Sequence, residues 1–170
     1  SVLKNQVSYI INDEFKTSNS SFSFRKAISE VDDSVIYINS DLYFTKNMIK
    51  KLLHFNYKNA ILTDSSDVEE SDMFKFQGNG NQITRLSKNL DLKISDGVAV
   101  GPVIFNNEGI KKIIEIIDGH ILNNNKNEWV YSVVNELSTF VNLYSIDIKK
   151  EMWFEIDTYS DLESCRSFYE

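Results

Sequence analysis

Hydrophobic residues change their period along this chain, and each change marks an element. The segments "VSYII" (7–11) and "SVIYIN" (34–39) are β-branched and aromatic, which predicts strands. Between them "SFSFRKAISEV" spaces Phe22, Phe24, Ala27, Ile28 and Val31 as one helix face, so the stretch reads as a βαβ unit with a right-handed crossover. "TKNMIKKLLHF" predicts a helix capped by Thr45, with Met48, Ile49, Leu52 and Leu53 inward. "NAILTD" (59–64) is the next strand.

Alternation then returns on both sides of "GNGN". "DMFKFQ" and "QITRLSK" therefore predict a β-hairpin with its tip at the glycines. "DGVAVGPVIF" (96–105) is nearly continuous in apolar residues, as in a strand buried on both faces. Two amphipathic helices follow, "NNEGIKKIIEII" and "EWVYSVVNEL", separated by "NNNKN". "FVNLYSIDI" is a strand, "MWFEID" a short extended segment, and "SDLESCRSFYE" a closing helix with Ser160 and Glu163 as its capping box. The order predicts an α/β sheet in one domain spanning residues 1–170, with no repeat and no linker.

Composition narrows the function. The chain has 170 residues, 42% of them hydrophobic, enough for one ordinary core. No apolar run is long enough to span a bilayer, and no basic region leads into an apolar stretch at the start, so neither a membrane nor a secretory leader is expected. Cys165 is the lone cysteine and has no internal disulfide partner, which fits a cytoplasmic location. The 25 acidic residues outnumber 18 basic ones for a net charge of −7, and no Lys/Arg track is present, so nucleic acid is not an expected partner. An anionic small substrate would need a metal to supply local positive charge.

Candidate chemistry starts at "YINSDLYF" (37–44), where a buried strand runs into Asp41. Ligands of open α/β sheets bind outside the carboxyl ends of strands, and Asp41 is too far ahead of Thr45 to cap the next helix. "WFEIDT" (153–158) places Glu155 and Asp157 at another strand end, two residues apart on one face. Together these carboxylates could hold Mg²⁺, which accepts one or two carboxylates plus phosphate oxygens; alternatively Asp157 only begins the turn into the last helix. His54 and His120 both read as helix-end residues, with no zinc spacing. The serines lack the G-x-S-x-G setting of hydrolases. The acidic run "DSSDVEESD" (64–72) reads as a solvated loop. "GNGNQITR" sits between two strands, which is the wrong context for a phosphate loop.

The ordered set "NDEFKTSNSSFSFRKA", "VIYINSDLYFTKNMIKKLL", "MFKFQGNGNQITRLSK", "VGPVIFNNEGIKKI" and "EIDTYSDLE" resembles the MobA-like NTP transferases, with LicC-type phosphocholine cytidylyltransferases most similar. The resemblance covers nearly the whole chain; "N-x-D" and "EID-T-x-x-DL" are its more specific parts. It implies a Rossmann-like three-layer sheet, mostly parallel, with an inserted hairpin. It also implies Mg²⁺-dependent transfer of a nucleotidyl group from a nucleoside triphosphate, CTP favoured, to a phosphorylated small molecule such as phosphocholine, a phosphonate or a sugar phosphate. By position, Asp41 and Asp157 would hold the metal with Glu155 beside them. Asn19 and Ser23 would line the nucleotide, and Gly101 would let the backbone approach the acceptor. Trp129 and Tyr131 either face the acceptor, where an aromatic would suit a quaternary ammonium, or are apolar core.

The family's first strands and their G-x-G-x-R loop have no counterpart ahead of "VSYIIND", so a further segment or a partner chain is expected to supply them. A pocket acid of the family stands here as Ser132, an aromatic near the hairpin as Met73, and an acid before the metal-binding Asp as Asn39. Two other readings remain at this level. One is a metal-dependent GT-A-like glycosyltransferase, against which Asn-Ser-Asp in place of Asp-x-Asp counts. The other is a non-catalytic or split binding module on the same fold.

Overall fold

The structure, a computed structural model, describes residues 7–29, 31, 33–55, 59–66, 72–149 and 151–168. Most of the acidic run, residues 67–71, lies outside the described residues. Eight strands and five α-helices follow in the order α1 (Ser20–Ala27), β1 (Val35–Tyr37), β2 (Leu42–Phe44), α2 (Lys46–His54), β3 (Asn59–Asp64), β4 (Lys75–Asn79), β5 (Gln82–Ser87), β6 (Gly97–Phe105), α3 (Asn107–Leu122), α4 (Val130–Leu137), β7 (Leu143–Asp147), β8 (Trp153–Glu155) and α5 (Tyr159–Ser167).

Six strands form one sheet in the order β1-β6-β3-β7-β5-β4, with β4 also pairing β6. β6 runs antiparallel to both β1 and β3, while β3 and β7 pair in parallel. β1, β3, β7 and β4 therefore point one way, and β6 and β5 point the other. Every residue of β3 is buried, because the sheet is covered on both sides. Ile61 joins the core under α1, α3 and α4; Ala60 and Leu62 face the second core under α2. Helices on both faces of a sheet give three layers.

Local chemistry explains most boundaries. Thr45 caps α2, accepting from the Met48 amide, and the helix buries Met48 and Leu52 completely. Burial of each such side chain stabilises the fold by roughly 1.5–3 kcal/mol. Asn106 caps α3 through the Gly109 amide. At the hairpin tip Gly80 adopts φ +62°, where a side chain is disfavoured. Arg25 clamps α1 to α3 with a two-pronged bond to Asp118, 2.7 and 3.0 Å.

Five sequence expectations are corrected. The sheet is not mostly parallel: among the described strands only β3 and β7 pair in parallel, because β6 and β5 run against their neighbours. Leu53 of α2 is exposed rather than inward, on the helix side away from Met48 and Leu52. Residues 7–11 are not a strand; no strand among the described residues pairs with them, β propensity alone does not make one, and Tyr9 and Ile11 are largely exposed. The expected βαβ unit thus lacks its first strand. The closing helix is capped by Thr158 with Asp161, not by Ser160 with Glu163: each side chain of the former pair bonds the other's backbone amide. Trp129 is the N-cap residue ahead of α4 rather than part of it.

Candidate active site

A small second sheet builds the site. β2 and β8 pair antiparallel, with Leu42 opposite Glu155, and the Ile156 amide donates to the Asp41 carbonyl at 2.9 Å. This ribbon ties the two acidic stretches together although they lie far apart along the chain. Asp41 precedes β2 directly, in the turn after β1, rather than ending β1 itself. Trp153 of β8 donates its indole N–H to the buried Asp64 carboxylate at 3.0 Å, which anchors the ribbon to the end of β3. Thr45, the cap of α2, and Lys51 within it hold Glu151 from the other side at 2.7 and 2.8 Å. Lys51 first, and Thr45 less so, keep the Glu151 carboxyl below its ordinary range.

Asp41, Glu155 and Asp157 line one cavity of about 580 Å³. Among the described residues none of the three carboxylates accepts a hydrogen bond or joins an ion pair. Burial raises the Glu155 pKa above its ordinary value, and repulsion from Asp157 and Asp41 raises it further, with Lys88 opposing. Asp157 lends its backbone N–H, not its carboxylate, to Asp161 of the capping box at 3.1 Å. The carboxylate is thereby left to the cavity.

Among the described residues no three acidic, histidine or cysteine side chains form a ready metal cage. Mg²⁺ asks for less than such a cage, one or two carboxylates with substrate phosphate and water completing the shell. Asp41, Glu155 and Asp157 are the carboxylates of this cavity from which one or two could come.

A second cavity of about 600 Å³ adjoins the first and shares Asn39, Asp41, Trp129 and Tyr131 with it. Ser20, Ser23 and Tyr37 line this second space, so Asp41 stands between the two. Ser23 accepts from the Asn12 side chain at 2.9 Å. Asn19 lines neither cavity; its side-chain oxygen turns onto the Ser20 amide at 2.7 Å, as the N-cap of α1. Gly101 does not line them either. Its φ is +143°, and the position of a Cβ lies 2.7 Å from Leu42 Cδ2, so the missing side chain admits β2 against β6.

Trp129 and Tyr131 differ in setting. Tyr131 is mostly inside the core: it donates to the Gly101 carbonyl at 3.1 Å and meets the rings of Tyr37 and Phe74 edge-on. Burial drives its pKa strongly upward, so it stays a neutral phenol. The same cause pushes Tyr37 up to about 12. Trp129 is 49% exposed at the cavity mouth.

Three contributors escape the sequence reading. Asp64 reads as part of a solvated run but is buried under Trp153. The aromatic beside the hairpin is Phe74, one residue beyond Met73, and both line the first cavity. Lys88 is the basic residue of that cavity.

Solved structures with this fold carry names of nucleotidyl-transfer enzymes. The inositol-1-phosphate CTP transferase from T. maritima matches with a TM-score of 0.75 at 18% identity, over 91% of this chain and 62% of that one. The CTP:phosphocholine cytidylyltransferase LicC from Streptococcus pneumoniae gives 0.69 at 16% identity, over 96% and 69%. A UDP-glucose pyrophosphorylase complexed with UDP-glucose gives 0.69 at 12%, over 89% and 62%. The chain has the nucleotidyltransferase fold and spans less than two thirds of the T. maritima enzyme's length. No family model and no curated protein sequence matches it. Among the described residues no helix is long and apolar enough to cross a membrane.

Proposed function

We propose that this chain carries the metal-binding and acceptor part of a nucleotidyltransferase. It would bring a nucleoside triphosphate, CTP favoured, to a phosphorylated small molecule. The observation that carries the reading is the β2–β8 ribbon, which brings Asp41, Glu155 and Asp157 to one cavity, with Asp41 at its junction with the second.

The cavity along α1 and β1 suits the nucleotide, with Ser23 on its wall and Asn19 ordering the start of α1 behind it. The cavity toward the hairpin suits the acceptor. An oxygen of the acceptor phosphate attacks the α-phosphorus, and the bond to the β-phosphate breaks. Pyrophosphate leaves with the electron pair. Asp41 and Asp157 would hold Mg²⁺, with Glu155 beside them; the ion supplies positive charge to the triphosphate. The rest is positioning: the ribbon fixes the carboxylates, and the cleft sets the two substrates in line.

β1 ends the main sheet and pairs on its outer edge with no strand among the described residues. A phosphate-binding loop placed along that edge, from a further segment or a partner chain, would complete the site. The reading needs no second domain within residues 1–170.

Pyrophosphate release tests it, with Mg²⁺, each of the four triphosphates and a set of phosphorylated acceptors. The full-length native protein or its complex is the sample. The Asp41→Asn and Asp157→Asn variants should each lower the rate about 100-fold or more while remaining folded. Unchanged rates in both variants would refute the assignment.

A further inference from the structure

The acceptor cavity already contains a cation of its own. The Lys88 ammonium lies 5.3 Å from the centre of the Trp129 ring and 5.9 Å from that of Phe74. Asp72 pairs with it at 3.2 Å. Tyr131 closes the back of Phe74, ring edge to face at 5.3 Å. Aromatic faces around a carboxylate are the arrangement that receives a quaternary ammonium group. Here the chain's own side chain fills it, on a tether, so its effective concentration there is high.

The remaining lining sets a second condition. Asp41, Glu155, Asp157, Asp72 and Asp161 all border the same space, against the one ammonium of Lys88. An acceptor body bearing further negative charge would meet those carboxylates. One bearing a fixed positive charge would meet Lys88 where it needs an empty niche. A neutral body with hydroxyl groups avoids both and can donate O–H to the carboxylates.

Resting on the nucleotidyl-transfer reading above, we propose that Lys88 is the specificity-determining residue of the acceptor site. It excludes trimethylammonium acceptors by occupying their niche, and it leaves the site to phosphorylated polyols or sugars.

The test uses choline and tetramethylammonium as probes, followed through the indole N–H signal of Trp129 by NMR. Wild-type protein should bind both weakly. Lys88→Met should bind them about tenfold tighter or better, because the niche opens. Lys88→Arg, which keeps a cation there, should remain closed, and adding Trp129→Leu to Lys88→Met should abolish the gain. Retained chemical-shift dispersion shows that each variant is folded. Equal choline affinity in wild type and a folded Lys88→Met overturns the proposal. These probes need no triphosphate, so the result stands apart from the pyrophosphate assay. Release of pyrophosphate with phosphocholine, faster than with any phosphorylated polyol or sugar, would sink the inference and leave nucleotidyl transfer intact. A Lys88→Met gain without pyrophosphate from any acceptor would support the niche and sink the reaction.

Discussion

At the scale of single residues, Glu155 and Trp153 carry opposite loads. Glu155 is held protonated to higher pH than an ordinary glutamate, by partial burial and then by two neighbouring carboxylates. An acid with a raised folded-state pKa is harmless while protonated and destabilising once ionised. Stability is therefore fullest below the ordinary glutamate range and declines as pH rises through the raised value. Glu155→Gln should match wild type near pH 4 and melt about 1–3 °C higher at pH 7, a modest gain because the group is only half-buried. Added Mg²⁺ should narrow the difference. Thermal melts at the two pH values check it, and a variant that melts lower at pH 7 contradicts the account. Trp153 works the other way. Its bond to the Asp64 carboxylate is partly buried and ties β8 to the end of β3. Trp153→Phe should cost about 1.5–3 kcal/mol in urea denaturation, the range for hydrogen bonds to ionised groups.

At the scale of elements, the ribbon depends on how closely β2 approaches β6. Gly101→Ala would add a methyl at φ +143° against Leu42 Cδ2. The Leu42 end can move, but the backbone conformation stays unfavourable, so the cost should be about 1–3 kcal/mol. A smaller loss by denaturant titration would mean that the backbone relaxes. In α2, Leu52→Ala leaves a hole in a fully buried layer and should cost about 2–5 kcal/mol. Elements whose signals are local were legible in the sequence. α2 announced itself through Thr45 and its helical spacing, and the hairpin through alternation around its glycines. The β2–β8 pairing was not legible. "LYF" and "WFE" are three-residue strands, and only tertiary contact brings them together. Both acidic ends could be read as candidates, but the zip between them could not. Residues 7–11 show the converse, since β-branched and aromatic side chains predicted a strand where no neighbour among the described residues pairs with it.

At the scale of the whole molecule, strand succession suggested an α/β sheet, and the three layers agree with it. Spatial order was beyond reach: nothing local in "DGVAVGPVIF" says that it runs against both neighbours. The net charge of −7 gains a local meaning in the folded chain, where five carboxylates border one cavity. The ribbon also has a consequence in time. Its two strands belong to distant parts of the chain, so closing them costs more loop entropy than any hairpin, and it is short and half-buried. It should open far more often than β3, which is buried along its whole length. The Ile156 amide, whose acceptor is the Asp41 carbonyl, should exchange with deuterium well before the amides of β3. Each opening separates Asp41 from Asp157, so only the closed fraction is competent to bind, and the apparent affinity for any ligand bridging them is scaled by that fraction. Exchange at this one amide thus counts the molecules whose site is assembled.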